Sequence, residues 1–110
     1  MITVKFDYTN GKIHSFTMSG HANFAKRGSD IVCAGASAVS FGTVNSIMAL
    51  TDVEPIIDTA GNGGYLYCEI PSDISADSQE KVQLLLEGML VSLQTIERDY
   101  KKYIKINLNK

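Results

Sequence analysis

The sequence predicts one α+β domain, a mostly antiparallel five-stranded sheet with two helices on one face. Three observations predict it. Apolar and polar residues alternate in several short segments, two longer segments have helical character, and turn-forming residues separate them. The resulting order is β-β-α-β-β-α-β, and its simplest packing places both helices on the same face of the sheet. The length is that of one domain, so residues 1–110 are assigned to it.

Two strands joined by a tight turn are predicted at the start of the chain. A strand over residues 2–7 turns its alternate apolar side chains to one face, namely Ile2, Val4 and Phe6. The Asn10-Gly11 pair accepts the positive φ angles that a type I′ hairpin turn requires. A second strand is predicted over residues 13–18. The residues expected on one of its faces are His14, Phe16 and Met18.

A loop and a helix come next. Loop-forming residues are frequent over residues 19–32, and loops of this kind carry function when a rigid scaffold positions them. The helix is predicted to begin near Asp30–Cys33 and to end at about Leu50, with Ser29 or Asp30 as its N-cap. Small residues dominate its first half, which allows another part of the backbone to approach closely.

The second half of the chain repeats the strand-strand-helix order. Strands over residues 54–59 and 65–70 are predicted to form a hairpin around Gly61–Gly64. The residues that can start the next helix are Ser75, Asp77 and Ser78. Its amphipathic stripe consists of Val82, Leu85, Leu86, Met89, Leu93, Ile96 and Tyr100. A last strand is predicted over Tyr103–Leu108.

The charge and hydropathy of the chain argue against two kinds of partner. The formal net charge is −2, with 10 Lys and Arg against 12 Asp and Glu, so we expect no direct contact with nucleic acid. No segment shows the roughly 20 apolar residues of a membrane span, and residues 1–20 lack the pattern of a secretory signal. The sequence therefore predicts a cytoplasmic protein with no membrane partner.

No metal or cofactor is expected. The chain has two cysteines and two histidines, and no Cys-x-x-Cys or His-x-x-x-His spacing, which makes a poor zinc site. In a reducing cytosol the two cysteines are not expected to form a disulfide. The glycine-rich run at residues 61–64 lies in a hairpin and not between a strand and a helix, so it is a poor phosphate loop.

Cys33 is the first candidate nucleophile, because it lies at the predicted start of a helix after a loop. There the unpaired N–H groups and the helix dipole favour a thiolate over a thiol. The N–H groups of Cys33 and its neighbours were also the expected donors for the oxyanion of an acyl-transfer intermediate. The alternative is a packed cysteine of the core, since free cysteines are among the most buried residues.

His21 strengthens the catalytic interpretation of Cys33. It follows Gly20 at the exit of the second strand, where a loop can bring an imidazole beside the sulfur. A cysteine with a nearby histidine is the minimal nucleophile–base pair, since imidazole can accept the thiol proton and later protonate a leaving amine. The alternative is a solvent-exposed loop histidine beside a turn glycine.

Four further residues have weaker claims. Asp30 can orient His21 or cap the helix, and the cap explains its position better. Ser37 lies one turn after Cys33, where it can contact the site or bond back to its own helix. His14 is a minor competitor for the role of base; it lies in register with Phe16 and Met18, and the alternative is that it faces water among the first residues of its strand. Cys68 lies in a strand with no helix start or histidine next to it, which is typical of a packed residue.

Two motifs connect these residues to a known family. They are Gly20-His21-Ala22 and Asp30-Ile31-Val32-Cys33-Ala34-Gly35-Ala36-Ser37. Together they resemble the ribosomal-processing cysteine protease (Prp) family. The resemblance extends over the whole chain and includes its length, its helix order and the stretch Phe41-Gly42-Thr43-Val44-Asn45.

The resemblance implies an activity and two partners. In that family the cysteine of Asp-x-x-Cys is the nucleophile and the histidine of Gly-His-Ala transfers the proton, which are Cys33 and His21 here. Members are homodimers and remove a short N-terminal extension from a bacterial large-subunit ribosomal protein, a step needed for ribosome assembly. The resemblance thus implies a cysteine endopeptidase with this ribosomal protein as substrate and a second copy of the chain as partner.

The resemblance also implies which residues surround the site. The segment between His21 and Cys33 resembles the family's mobile loop over the active site, and Gly20, Asp30 and Ser37 are then supporting residues. The side chains expected to shape a substrate groove are those of Phe24, Ala34, Ala36 and Ala38. No cofactor is implied.

Two other functions are compatible with the same residues. A non-catalytic binding module associated with the ribosome would carry an unreactive Cys33. A thioesterase or another acyl hydrolase could use the same Cys–His pair, although the chain has no evident motif for a carrier or for coenzyme A.

Overall fold

The computed structural model describes residues 1–26, 28–61 and 63–110. Its elements follow the predicted order. They are β1 (Ile2–Thr9), β2 (Lys12–Ser19), α1 (Ile31–Leu50), β3 (Ile56–Thr59), β4 (Tyr65–Glu69), α2 (Ala76–Asp99) and β5 (Ile104–Asn109). Asn62, in the predicted turn between β3 and β4, lies outside the described residues.

The five strands form one mixed sheet in the order β3-β4-β2-β1-β5. The pairs β1–β2, β2–β4 and β3–β4 are antiparallel, and two of them, β1–β2 and β3–β4, are joined by tight hairpin connections. The remaining pair, β1–β5, is parallel, because α2 carries the chain back before β5 begins. The prediction of a mostly antiparallel sheet is confirmed, with β5 as the parallel edge strand.

The core lies between one face of the sheet and the two helices. Alternate side chains of the strands are buried on this face, among them Val4, Phe6, Phe16, Leu66 and Ile104. The helices cover them with two buried stripes: Val32, Ala36, Val44 and Ile47 from α1, and Val82, Leu86, Met89 and Leu93 from α2. Both helices therefore lie on the same side of the sheet. The opposite face carries exposed residues such as Lys5.

A β-bulge in β2 changes the predicted arrangement of that strand. Asp7 pairs with Ser15 and Tyr8 with Ile13, so His14 is an extra residue between them. Ile13 consequently turns into the core, whereas His14 is exposed. The Gln83 side chain of α2 stabilises the bulge, because its amide both accepts from the Ile13 N–H and donates to the Ile13 C=O, each at 2.8 Å. The predicted placement of His14 beside Phe16 and Met18 is therefore wrong.

Helix α1 is more apolar than the sequence analysis expected. Its 20 residues are long and apolar enough to cross a membrane, by length and composition alone, so the expectation that no segment reaches this threshold is wrong. In this fold, one stripe of α1 is buried against the sheet and α2. The rest of the helix carries exposed apolar side chains, including Ile31, Met48 and Leu50. These exposed side chains account for much of the helix's hydropathy.

Candidate active site

A groove of about 690 Å³ lies between the start of α1 and the tip of the β3–β4 hairpin. Cys33 and His21 both line it. The sequence separates them by a loop, and the fold brings them together because β2 ends beside the first turn of α1. The groove is also lined by four of the predicted supporting residues, namely Gly20, Asp30, Ala34 and Ser37.

Cys33 lies in the first turn of α1 and is only partly buried. Its sulfur accepts a hydrogen bond from the Ala22 N–H, at an N–Sγ distance of 3.2 Å. Ala22 is itself buried, so this N–H is held against the sulfur by the packing of the loop. Cys33 therefore packs against the core and also lines the groove, which a fully packed structural cysteine would not do.

Asp30 connects the loop to the helix. It is the N-cap of α1: its Oδ1 accepts from the N–H groups of Val32 and Cys33, each at 3.0 Å. Its Oδ2 accepts from Phe24 at 2.9 Å and from Ala25 at 3.3 Å. Desolvation acts to raise the pKa of the Asp30 carboxyl, but these four backbone N–H groups outweigh it and lower the pKa below its usual value.

This cap corrects the expectation about the oxyanion. The N–H groups of Val32 and Cys33 already donate to the Asp30 carboxylate, and the N–H of Ala34 donates to the Asp30 carbonyl at 3.0 Å. The N–H groups that the sequence analysis expected to be unpaired therefore already have acceptors at the start of the helix. The backbone N–H that donates to the Cys33 sulfur is that of Ala22, in the loop.

His21 is exposed and lies against the backbone of the β3–β4 hairpin. A Cβ placed on Gly64 would lie 2.7 Å from His21 Nε2. The preceding residue, Gly20, donates its N–H to the Gly64 carbonyl at 2.9 Å. Gly20 has a φ of +89°, and a Cβ there would collide with the Met1 carbonyl oxygen, so only glycine fits. Within the described part of the chain, no hydrogen bond joins His21 to Cys33 or to Asp30.

Three of the residues expected to shape the groove lie elsewhere. The Phe24 ring contacts Tyr100 and Tyr103 edge-on, with ring centroids 5.6 and 5.1 Å apart, and it does not line the groove. Phe24 thus fastens the loop to the end of α2 and the start of β5. Ala36 is fully buried in the core because it lies on the stripe of α1 that faces the sheet, and Ala38 does not line the groove.

The structure adds groove residues that the sequence analysis did not identify. The helix face that carries Cys33 and Ser37 continues to Phe41, one further turn along, so helical spacing alone could have found it. The hairpin contributes Gly63, Gly64 and Tyr65 to the opposite side. The glycines were interpreted only as turn residues, and no local signal indicates that their hairpin reaches the site.

The remaining cysteine and histidine lie outside the groove. Cys68 is buried in β4, and desolvation raises the pKa of its thiol to about 12, so it stays protonated at neutral pH. Its prediction as a packed residue is confirmed. His14 lies 4.0 Å from Glu69. Over residues 1–26, 28–61 and 63–110, no three His, Cys, Asp or Glu side chains are grouped to hold a metal ion.

A thiol and an imidazole on one groove are the pair that a cysteine hydrolase needs to cleave an acyl bond. Comparison with known proteins shows to which family of cysteine hydrolases the chain is similar. Residues 1–105 match the family model described as cysteine protease Prp. The chain is 49% identical to the ribosomal processing cysteine protease Prp of Bacillus subtilis over 107 residues, which covers 97% of this chain and 95% of that protein. It is 46% identical to the Prp of Staphylococcus aureus, over 97% and 98% of the two chains.

Solved structures agree with this result. The S. aureus Prp in complex with a covalently linked product peptide has a TM-score of 0.90 and 45% identity, over 99% of this chain and 100% of that chain. The same protease with a substrate peptide has a TM-score of 0.84 and 42% identity, over the same shares. The chain therefore belongs to the cysteine protease Prp family. It is a cysteine protease of the ribosomal-processing type.

Proposed function

We propose that this protease removes a short N-terminal extension from a bacterial large-subunit ribosomal protein, with Cys33 as the nucleophile and His21 as the proton carrier. One observation carries the proposal: Cys33 and His21 line the same groove, in a chain closely similar to a protease solved with a covalently linked product peptide. Met18, Phe41 and Tyr65 also line the groove, and their side chains suit a substrate with apolar and aromatic residues beside the scissile bond.

The proposed reaction is acyl transfer in two steps. His21 accepts the proton of the Cys33 thiol, and the sulfur attacks the scissile carbonyl carbon to give a tetrahedral intermediate. When the C–N bond breaks, protonated His21 gives its proton to the leaving amine of the shortened ribosomal protein. Water, deprotonated by His21, then attacks the thioester, and its C–S bond breaks to release the extension peptide and restore the thiol.

The backbone around Cys33 supports this reaction. The Ala22 N–H lies 3.2 Å from Sγ, so it is placed to stabilise negative charge that develops at the reacting centre. The Asp30 cap holds both sides of that contact, since it binds the start of α1 and the loop residues that follow Ala22. The hydrogen bond between His21 and Cys33 forms in the peptide complex, because catalytic contacts commonly tighten when substrate binds.

The experiment uses the full-length ribosomal protein with its extension as substrate and intact mass as the readout. We expect the wild-type protease to remove the extension, and Cys33→Ala and His21→Ala to lower the rate by at least about 1,000-fold. The matched controls are His14→Ala and Cys68→Ala, which remove the other imidazole and the other thiol, both outside the groove. Full cleavage by Cys33→Ala would exclude Cys33 as the nucleophile, and full turnover by His21→Ala would exclude His21 as the base.

We also propose that two copies of the chain associate. Six large apolar side chains of the helices are exposed: Ile31, Phe41, Met48 and Leu50 of α1, and Leu84 and Val91 of α2. Exposed apolar area of this kind is commonly covered by a partner, and in this family the expected partner is a second copy. Sedimentation equilibrium of the wild-type protein should give twice the mass of one chain. The Leu84→Glu variant should give a lower mass if α2 lies in the interface.

The proposed site of action is the cytoplasm. A ribosomal protein meets its processing enzyme where ribosomes are assembled, and both cysteines of the chain are free thiols, as a reducing compartment favours. Fractionation of cells that produce the protein should recover it with the cytoplasmic fraction. Recovery with membranes would contradict this proposal and would make the apolar helix α1 the candidate for a membrane contact.

A further inference from the structure

The His21 imidazole is packed against a glycine of a different part of the sheet. Gly64 precedes β4 and has a φ of +77°. A Cβ on Gly64 would lie 2.7 Å from Nε2, 3.1 Å from Cε1 and 3.5 Å from Cδ2 of His21. Real Cβ atoms do not approach other atoms to within 2.7 Å, so the ring occupies space that any other residue at this position would fill.

A second contact holds the same two segments together. The Gly20 N–H donates to the Gly64 carbonyl at 2.9 Å, so the residue before His21 is bonded to the glycine that the imidazole touches. The hairpin tip is therefore kept at a constant distance from the exit of β2. The missing Cβ of Gly64 leaves the space beside this backbone contact that the ring occupies.

Polar contacts do not define where the imidazole lies. Across residues 1–26, 28–61 and 63–110, the His21 side chain makes no hydrogen bond, and it is exposed to solvent. Packing against Gly64 is a restraint that the structure shows on this side chain, which the proposed reaction brings to the Cys33 sulfur. Misplacing a reacting group by about 1 Å costs on the order of 100-fold in rate.

We propose that Gly64 is a positioning residue of this protease: by lacking a Cβ, it sets the place of the His21 imidazole beside Cys33. The inference rests on the proposed role of His21 as the proton carrier. It gives the β3–β4 hairpin a part in catalysis beyond lining the groove. Replacing Gly64 by alanine should push the ring away from its place and slow proton transfer.

The positive φ of Gly64 offers a competing explanation, because alanine is strained there whatever the ring does. The chain supplies a matched control. Gly11, in the turn between β1 and β2, has a φ of +78°, and a Cβ there would meet nothing within 4 Å. Gly11→Ala therefore measures the backbone strain alone, and the difference between Gly64→Ala and Gly11→Ala measures the contact with the imidazole.

The first experiment is a double-mutant cycle on thermal unfolding. In the wild-type background, Gly64→Ala should lower Tm slightly more than Gly11→Ala, because its Cβ must also displace the end of the exposed His21 side chain. In the His21→Ala background, where the ring is absent, the two alanine substitutions should lower Tm equally. If Gly64→Ala cannot be produced as a folded protein but the Gly64→Ala, His21→Ala double variant can, the contact is supported. The proposal is overturned if Gly64→Ala still lowers Tm more than Gly11→Ala in the His21→Ala background. It is also overturned if the double variant fails to fold.

The second experiment measures kinetics on the extended ribosomal protein. Gly64→Ala should lower kcat about 100-fold with KM nearly unchanged, because the proton carrier is displaced while the groove still binds peptide. Gly11→Ala should keep wild-type values. A Gly64→Ala variant with normal kcat, or one that changes only KM, overturns the positioning role. Failure of the proposed role of His21 can be told apart from failure of the proposed role of Gly64. An active His21→Ala variant would exclude His21 as the proton carrier, whereas the Tm cycle would still report whether the imidazole contacts Gly64.

Discussion

The backbone N–H of Ala22 donates a hydrogen bond to the Cys33 sulfur across 3.2 Å. Ala22 follows His21, and Cys33 lies in the first turn of the helix on the other side of the loop. The contact joins the two ends of the loop at the Cys33 sulfur, the proposed nucleophile. The Asp30 carboxylate, which binds four N–H groups of the loop and helix, keeps the contact in place.

The two thiols should differ sharply in reactivity. We expect iodoacetamide at neutral pH to modify Cys33 in the folded protein and to leave Cys68 unmodified. Cys33 borders the groove, whereas Cys68 is buried and its pKa is raised to about 12. Peptide mapping after alkylation measures both sites, and the unfolded protein, in which both should react, is the control. Equal labelling of the two thiols in the folded state would contradict the described burial.

Asp30→Ala should lower both stability and activity. The substitution leaves four backbone N–H groups without their acceptor and releases the loop that holds Ala22 against Cys33. Ser75→Ala is the matched control, because Ser75 is the N-cap of α2 and does not line the groove. It should lose about 1 kcal/mol of stability and keep its kcat. Equal kcat values in the two variants would show that the Asp30 cap serves the helix alone.

The stabilising effect of Asp30 should depend on pH. Its pKa is lower in the folded protein than in the unfolded chain, where it is about 3.9. The contribution is therefore complete above about pH 5 and is lost as the pH falls through about 3.9 towards the lower folded-state pKa. Thermal unfolding of the wild type and of Asp30→Asn, measured from neutral to acidic pH, should give Tm values that converge in acid. A constant difference between them would contradict the lowered pKa.

Gln83→Ala should destabilise the fold without touching the groove. The Gln83 amide satisfies the N–H and the C=O of Ile13 at the β-bulge, and an unsatisfied buried backbone group costs about 1–3 kcal/mol. Gln94→Ala, an exposed substitution on the same helix, should change stability by no more than about 0.5 kcal/mol. Denaturant unfolding measures both variants. If Gln83→Ala is as stable as Gln94→Ala, water replaces the amide at the bulge.

The bulge also shows where local sequence patterns stop being sufficient. Alternation along residues 13–18 placed His14 with Phe16, because a regular strand turns every second side chain to the same face. The extra residue at the start of β2 turns His14 to the face opposite Phe16. The Gln83 side chain that stabilises this bulge lies 70 residues further along the chain. No window on β2 alone contains that information.

The sequence by itself determined the order of elements and the buried stripe of α2, it gave Asp30 as one of two candidate caps, and it predicted Cys33 and His21 as the catalytic pair. These follow from short-range periodicity, from capping chemistry and from two local motifs. Only the tertiary structure decided that Asp30 occupies the helix N–H groups, that Ala22 supplies the N–H at the sulfur, and that Phe24 packs on Tyr100 and Tyr103 outside the groove. It also placed Gly64 under the imidazole. These relations join segments far apart in the chain, so they depend on how the loop, the helix and the hairpin pack together.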